Sequence, residues 1–275
     1  MTAEFNSSKL KLKLKGRPTK LFPLLFGWEP IPESVSLRGG RQDVFILEPV
    51  TGAAVAYENG WVLIDTGFNP DLSRDADLRA AHFTWPNYCA VIPPGDPLVD
   101  QISASGLSWD NLAFCAMSHL HCDHGGGLRL LVDGPPVVIQ EREFDFAMNR
   151  AGLEHAYFRS DYVREGLNWE LVSGDAELAP GLTAILTNGH TPGHMSFAVE
   201  LGDKKIVLAC DAADFMKNIV ERIPCGETAE LRDRDAAEIS INRLADLSLI
   251  ENTEVWPGHD PEFWKIHKIA PEFYS

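Results

Sequence analysis

The chain has 275 residues, of which 45% are hydrophobic, a composition that supports a large buried core and excludes a disordered protein. It carries 24 lysines and arginines against 40 aspartates and glutamates, a formal net charge of -16 at pH 7, and such an acidic surface argues against a nucleic-acid partner. No run of 18 apolar residues occurs, so no membrane partner or membrane span is expected.

The predicted elements begin with a basic N-terminal arm. Residues 1–20 contain six lysines and arginines and one acidic residue, Glu4. From Lys9 to Lys15 lysine and leucine alternate strictly, which is the period of a β-strand and predicts an edge strand whose lysines discourage aggregation. Residues Leu21 to Pro32 are apolar, aromatic and interrupted by prolines, a composition that predicts an irregular loop.

Strands and helices then alternate along the rest of the sequence. Short apolar runs predict strands at 45–49, 53–57, 61–64, 112–118, 136–140, 169–172, 182–186, 196–199, 205–209 and 254–256. Helical spacing predicts helices at 97–105, 141–149 and 235–249. This interleaving indicates layered α/β packing. Because no repeat or low-complexity linker divides the chain, residues 1–275 are expected to form one domain, in which the strand and apolar loop of residues 1–40 flank the functional site.

The cysteines bear on the compartment. There are five of them, an odd number without any CxxC pair, which favours a reduced protein over a disulfide framework. A secretory signal would need a continuous apolar segment near the N-terminus, and the sequence has none. We therefore expect the chain to work in the cytoplasm.

One short cluster carries the strongest chemical signal. His119, His121, Asp123 and His124 lie within six residues, directly after an apolar strand. Alternate residues at the end of a strand point the same way, so His119 and His121 can reach one ion, while the other two are offset toward a second. Gly125-Gly126-Gly127 then lets the backbone pass close to the site. Imidazole and carboxylate ligands suit zinc or another first-row divalent metal.

Further ligands are expected at later strand ends, where α/β proteins place their sites. His194 is the preferred third ligand beside the first two histidines of the cluster, and His190 is the alternative. Asp211 follows a buried strand, where an unpaired carboxylate is costly, and a carboxylate can bridge two ions. His259 completes the second position.

The whole pattern resembles the metallo-β-lactamase superfamily. The resemblance rests on Asp65-Thr66-Gly67 at a strand end, the HxHxDH cluster, Thr191-Pro192-Gly193-His194, the strand-end Asp211 and Gly258-His259. It implies an α/β fold, the four-layer αβ/βα sandwich of two mixed sheets flanked by helices, with the site at one edge between the sheets. Asp65 matches the family's structural aspartate, which orders the loops under the site.

By the same resemblance, two Zn²⁺ ions are bound by seven side chains. The first ion takes His119, His121 and His194, the second takes Asp123, His124 and His259, and Asp211 binds both. Two such ions can hold a bridging water and lower its pKa, so that a hydroxide attacks a carbonyl carbon. Asp123 is then the natural proton shuttle.

Within the superfamily, the sequence is similar to the N-acyl-homoserine lactonases, the quorum-quenching branch. The similarity rests on Ser118 to His121, Gly166 to Trp169, Gly258 to Trp264 and Lys268 to Tyr274. It implies a lactone hydrolase with a small-molecule lactone substrate, and a homodimer, since lactonases of this kind often form one. The alternatives are a same-fold hydrolase of another lactone or ester and, more remotely, a di-iron oxidoreductase or a metal-binding protein without catalysis.

One departure from the lactonase pattern concerns the substrate. Those enzymes commonly carry a tyrosine three residues after the bridging aspartate, and here that position is Asp214. A protonated Asp214 could donate the missing hydrogen bond, and Tyr88, Tyr157 or Tyr162 are alternative donors. An acyl chain would need an apolar wall, for which the candidates are Phe26, Trp28, Phe83 and Trp85.

Overall fold

Two β-sheets face each other in the computed structural model, which describes residues 14–85, 87–149 and 156–275. The first sheet has the strand order β1-β2-β3-β4-β5-β6. Its strands are β1 Lys20–Pro32, β2 Phe45–Ala56, β3 Trp61–Ile64, β4 Leu112–Ala116, β5 Val137–Gln140 and β6 Trp169–Val172. The three strands from β1 to β3 pair antiparallel, and those from β3 to β6 pair parallel, so the sheet is mixed.

The second sheet is built mainly from a meander. Its strands are β7 Ala176–Ala179, β8 Leu182–Leu186, β9 Met195–Leu201, β10 Lys204–Leu208 and β11 Thr253–Trp256, in the order β11-β10-β9-β8-β7. Neighbours pair antiparallel except β10 and β11, which are parallel because the chain between them crosses over through a helix.

Helices cover the outer faces of the sheets and the loops between strands. They are α1 Glu33–Ser36, α2 Pro70–Arg74, α3 Ala76–His82, α4 Pro97–Ala104, α5 Cys122–Gly125, α6 Glu141–Asn149, α7 Arg159–Tyr162, α8 Met216–Glu221, α9 Arg234–Leu247 and α10 Pro261–Trp264. In the part of the chain that the structure describes, none of them is long and apolar enough to cross a membrane.

The side chains of β3 show how the layers form. Trp61 and Leu63 belong to the core on the outer face of the first sheet, whereas Val62 and Ile64 belong to the core between the sheets. Successive residues of a strand point to opposite faces, and both faces are buried, so the strand is apolar throughout. A third core lies between the second sheet and α9. The predicted four-layer sandwich is therefore confirmed.

The N-terminal segment differs from the sequence prediction. The predicted loop of Leu21 to Pro32 is wrong, because these residues form most of β1 and pair with β2 along its whole length, with one register shift between Leu25 and Gly27. Prolines are tolerated there because β1 is an edge strand of its sheet. The alternating run before it lies mostly outside the described residues, and its last two residues, Leu14 and Lys15, are not in a strand.

Two smaller differences concern the other strands. The separate strands predicted at 45–49 and 53–57 are one continuous strand, β2, and β7 was not predicted at all. The other predicted strands and helices lie within two residues of the observed ones. Periodicity therefore located the elements well wherever one apolar run made one strand.

Candidate metal centre and active site

The HxHxDH cluster follows the carboxyl end of the central parallel strand β4: His119 and His121 lie in the turn after β4, and Asp123 and His124 lie in α5. Here the backbone packs tightly against the turn that follows β3. A Cβ atom on Gly126 would lie 1.9 Å from the backbone nitrogen of Asn69, and one on Gly127 would lie 2.7 Å from the carbonyl oxygen of Thr66. The glycines are therefore needed for the cluster to approach the neighbouring loop.

Four ligand atoms form a first group: those of His119, His121, His190 and Asp211, all within 4.8 Å of one another. His190 Nε2 lies 3.0 Å from His121 Nδ1 and 3.4 Å from Asp211 Oδ2, and His119 Nε2 lies 3.5 Å from the same carboxylate oxygen. Three imidazoles and one carboxylate converging on one point are a ligand set suited to a tetrahedral divalent ion.

A second group lies beside the first and shares Asp211 with it. Its members are Asp123, His124, Asp211 and His259. His124 Nε2 lies 2.9 Å from Asp123 Oδ2 and 3.1 Å from Asp211 Oδ1, and His259 Nε2 lies 3.0 Å from Asp211 Oδ1. One oxygen of Asp211 thus faces each group, which is the arrangement of a carboxylate that bridges two ions.

The geometry does not support His194 as the third ligand of the first group. His194 Nε2 accepts a hydrogen bond from the backbone N–H of Asp211 at 3.1 Å, and its Nδ1 lies 3.2 Å from the carbonyl oxygen of Thr187. Both ring nitrogens are therefore occupied by protein groups. His190, the alternative, lies in the same loop with its ring directed into the group. These contacts connect His194 to the turn that carries Asp211.

Asp65 anchors one side of the cluster. Its Oδ2 lies 2.9 Å from His124 Nδ1 and accepts a hydrogen bond from Ser118 Oγ at 2.7 Å, while its Oδ1 accepts the Ser118 backbone N–H at 2.7 Å. A carboxylate bonded to the far nitrogen of a ligand histidine fixes the tautomer and orientation of the ring. The contacts agree with the structural role that the family resemblance implies for Asp65.

Glu143 anchors the other side, and the sequence analysis missed it. This fully buried carboxylate accepts hydrogen bonds from the Leu120 backbone N–H at 3.2 Å, the Tyr157 hydroxyl at 2.7 Å and the Gly193 backbone N–H at 3.1 Å. It therefore joins the cluster to the loop that carries His190. A glutamate on the buried face of α6 was the available signal, because an acidic residue at a core position needs a reason to be there.

The electrostatics of the site fit divalent metal. Burial lowers the pKa of His121 to about 3 and puts the pKa of His119 well below its ordinary value, so both stay neutral. Burial also opposes the charged form of His259, but the Asp211 carboxylate outweighs it and raises the pKa of His259. The buried Nε2 atom of His119 has no hydrogen-bond partner among the described residues. Such atoms are costly unless something binds them.

A cavity of about 380 Å³ opens over both ligand groups. Of the four residues predicted to contact substrate, Trp85 lines it. Phe26 does not, because it is buried in the core at 2% exposure. Trp28 and Phe83 do not line the cavity either. The backbone of Trp28 pairs with Val91, and the ring of Phe83 stacks on Tyr88 with 5.4 Å between the ring centroids.

The actual wall of the cavity is partly apolar and partly acidic. Its apolar residues come from the end of β1, from α1, from the start of β2 and from three loops: Pro30, Ile31, Pro32, Val35, Phe45, Trp85, Ala156 and Ala229. Asp214, predicted as a hydrogen-bond donor to the substrate, also lines it, and so do Glu29 and Glu48, which the sequence analysis did not single out. Both glutamates lie on the strand pair that was partly predicted to be a loop.

The three tyrosines considered as hydrogen-bond donors have different surroundings. Tyr88 lines the cavity and donates to Glu29 Oε2 at 2.6 Å. Tyr157 donates to Glu143, and Tyr162 donates to the carbonyl oxygen of Ala147 at 3.2 Å, so both are engaged in packing. Tyr88 is the one of the three that a ligand in the cavity can contact.

Comparison with known proteins agrees with this geometry. Residues 47–259, which include both ligand groups, match the family model of the metallo-beta-lactamase superfamily. The chain belongs to this superfamily. Its members of known activity place it among the metal-dependent hydrolases, in agreement with the two ligand groups.

Individual members of the superfamily give a narrower likeness. The chain is 30% identical over 230 residues to an N-acyl homoserine lactonase of Bacillus cereus, covering 82% of this chain and 86% of that protein. It is 30% identical over 239 residues to the N-acyl homoserine lactonase AttM of Agrobacterium fabrum, covering 82% and 88%. A solved structure of a variant of Bacillus thuringiensis AiiA with N-decanoyl-L-homoserine at its active site matches with a TM-score of 0.82 and 25% identity, over 94% of this chain and all of that one.

Proposed function

We propose that the protein is a dinuclear zinc lactonase that opens N-acyl-homoserine lactones. The observation that carries the proposal is Asp211, whose two oxygens each face one group of metal ligands at the floor of a single cavity. Two observations named above support this substrate class: the two relatives are N-acyl homoserine lactonases, and the similar solved structure has an acyl-homoserine at its active site.

The ligand groups divide into two positions of different composition. His119, His121 and His190 would hold one ion, and Asp123, His124 and His259 the other, with Asp211 between them. Two divalent ions bound there would supply an activated water as nucleophile and would stabilise negative charge on the lactone oxygens. The imidazoles of His119 and His121, held neutral by burial, and the absence of thiolate from both described groups make a ligand set that suits zinc.

The chain's own residues would then position the substrate and move protons. Asp123 lines the cavity, and only its Oδ2 lies against His124, so its Oδ1 can take a proton from the nucleophile and return it to the leaving oxygen. Asp214 occupies the position of the tyrosine in the lactonase pattern and would hydrogen bond to the substrate. Trp85, Ile31 and Phe45 offer the apolar surface on which an acyl chain would lie.

A second candidate is a hydrolase of a different lactone or ester in the same cavity. The observation that favours it is the identity of residue 214. The lactonase pattern has a tyrosine at this position, and this chain has Asp214. The wall beside it also carries Glu29 and Glu48. The metal ligands and the nucleophile would be the same, and the substrate alone would differ.

The test is ring opening by the zinc-loaded protein, followed as proton release after addition of N-hexanoyl- and N-decanoyl-homoserine lactone. Asp211→Asn removes a ligand of both groups and is expected to lower kcat/KM by at least about a hundredfold. This decrease is larger than the one expected from losing a residue that only orients a ligand. Asp246→Asn, on the surface in an ion pair with Arg222, is the matched control and is expected to keep full activity.

Removal of the metal gives a further control. Dialysis against a chelator is expected to abolish ring opening, and two equivalents of zinc are expected to restore it. Two bound zinc ions without ring opening of either substrate would contradict the acyl-homoserine assignment and turn the search to other lactones and esters.

A further inference from the structure

Glu29 and Glu48 are direct partners across the β1–β2 pair. Residue 29 lies opposite residue 48 in the antiparallel register, so both side chains are on the same face of the sheet. They are nearly buried, at 8% and 2% exposure, and both line the cavity over the metal ligands. Two acidic side chains opposite each other destabilise a strand pair. Packing therefore does not account for this choice of residues.

The hydrogen bonds of the two glutamates do not neutralise them. Glu29 accepts from the Tyr88 hydroxyl at 2.6 Å, and Glu48 Oε1 accepts from the Ser36 hydroxyl at 2.7 Å. Both donors are uncharged. No lysine or arginine is among the residues that line the cavity in the described ranges, and Glu227 at its mouth adds a further carboxyl group.

Asp214 extends this surface toward the metal ligands. It is buried at 5% exposure, lines the same cavity, and its Oδ1 has no hydrogen-bond partner among the residues described. Its backbone carbonyl accepts the N–H of His259 at 2.9 Å, which fixes its distance from the second ligand group. Burial is the largest cause that raises the pKa values of Asp214 and Glu48. The charge of Asp211 raises that of Asp214 further, and the charge of Asp214 raises that of Glu48.

Glu29, Glu48 and Asp214 together form what we call the acidic wall. We propose that the acidic wall sets the substrate class: it admits lactones whose ring substituent is cationic, or is neutral and donates hydrogen bonds, and it rejects lactones whose substituent is anionic. The inference rests on the proposed function, because it concerns which lactones reach the metal ligands.

The physical basis is that no lysine or arginine lines the cavity in the described ranges, so positive charge is confined to the ligand groups at its floor. A carboxylate on the substrate would be desolvated against three carboxyl groups without an arginine or lysine to pair with it. An amide N–H or an ammonium group would instead give the unpartnered oxygen of Asp214 a donor. Specificity of this kind comes from repulsion of the wrong ligand as much as from attraction of the right one.

The experiment uses three non-hydrolysable γ-lactam analogues of one size, with the α-amino group acylated by γ-aminobutanoyl, pentanoyl or succinyl. They carry a cation, no charge and an anion. Binding to the zinc-loaded protein is measured by isothermal titration calorimetry at pH 9, above the pKa of about 8 that burial gives Glu29, so that this side chain carries its charge. We expect the cationic lactam to bind at least about tenfold more tightly than the anionic one, with the neutral lactam between them.

Variants locate the effect. Glu29→Gln/Glu48→Gln keeps the size of both side chains and removes their charge, and it is expected to reduce the difference between cation and anion to less than about threefold. The single variant Glu48→Gln is expected to give a cation–anion difference between those of the wild type and the double variant. It replaces the double variant in the test if the latter does not fold. Glu58→Gln removes one negative charge from the exposed turn after β2 and is expected to keep the wild-type order.

Two outcomes would overturn the acidic wall: equal affinities of the wild-type protein for the three lactams, or an unchanged order in both glutamine variants. These are distinguishable from failure of the proposed function. If N-hexanoyl-homoserine lactone is opened while the lactam affinities are equal, the lactonase stands and the acidic wall does not. If the charge order is found but no acyl-homoserine lactone is opened, the lactonase assignment fails.

Discussion

Buried carboxylates serve two opposite purposes on the two sides of the cavity. On the ligand side, Asp65 and Glu143 each accept three hydrogen bonds or close polar contacts from groups that carry or flank the ligand histidines. On the other side, within the part of the chain that the structure describes, Glu29 and Glu48 each accept one bond from a hydroxyl group, and one oxygen of Asp214 accepts none.

The difference shows where the protein gives up stability. A buried carboxylate is tolerated when several donors replace its lost water, and it then fixes the groups around it. Where donors are missing, burial is unfavourable, and such places are typical of sites that a ligand completes. The ligand side is thus built to be rigid, and the acidic wall is built to be incomplete.

The largest effect is expected from breaking the ligand side at His190. His190→Ala removes a ligand of the first group and is expected to lower kcat/KM by more than about a hundredfold and bound zinc from two equivalents to one. His194→Ala is expected to keep two zinc ions but to lose about 1–3 kcal/mol of stability, because it leaves buried polar groups without partners. Metal analysis and urea unfolding measure these quantities. Loss of one zinc from His194→Ala, with His190→Ala unaffected, would reverse the assignment.

A smaller effect is expected from loosening the anchor at Glu143. Glu143→Gln keeps the shape of the side chain but replaces one of its two acceptor oxygens with an NH₂ group. The Leu120 and Gly193 N–H groups donate to different oxygens of Glu143, so one of these two hydrogen bonds is lost. Zinc affinity is expected to fall by about 10–100-fold, as for other residues that orient ligands. Glu141→Gln, exposed in the same helix, is the matched control. Equal zinc affinities of the two variants would show that Glu143 does not position the ligands.

The smallest effect concerns the acidic wall and is seen in the pH dependence of stability. Burial, followed by the charge of Asp123, raises the pKa of Glu29 from 4.5 to about 8. At a pH between these two values, Glu29 therefore carries a proton in the folded protein but not in the unfolded chain. Its contribution to stability is fully present below pH 4.5 and is lost as the pH rises toward 8.

Glu29→Gln is expected to remove this slope. Urea unfolding of the metal-free protein at pH 5, 6.5 and 8 should show that the variant gains stability relative to wild type as the pH rises, whereas Glu58→Gln keeps the wild-type slope. A constant difference between Glu29→Gln and wild type across this range would mean that Glu29 titrates normally in the folded protein.

The sequence predicted those parts of the site that are local in the chain. His119 to His124 could be recognised because the ligands lie within one turn, and their spacing alone determines where they point. The choice between His190 and His194 depends on how a loop turns after β8, which spacing does not determine. The layered fold was predicted from apolar runs, but β1 was not, since prolines in an edge strand and in a loop give the same pattern.

The acidic wall was beyond sequence analysis for a related reason. Glu29 and Glu48 meet because of the strand register between β1 and β2, which depends on the whole hairpin. Asp214 was found only through its position relative to Asp211. A contact between residues far apart in the chain has no local pattern, so residues that select a substrate are harder to predict than those that bind metal.

The outer edge of β1 has a consequence for how the protein is made. Leu21 exchanges backbone hydrogen bonds with Tyr274, 2.9 Å in both directions, and the Ala270 N–H donates to the carbonyl oxygen of Pro23 at 2.8 Å. One end of the first strand of the first sheet is therefore covered by residues that are made much later in the chain. During synthesis, β1 waits with an unpaired edge, a state open to pairing with other nascent chains. The end of β1 at Leu21 and Pro23 is closed only when residues 270–274 have been made, whereas Trp28, next to Glu29, can pair with Val91 before then.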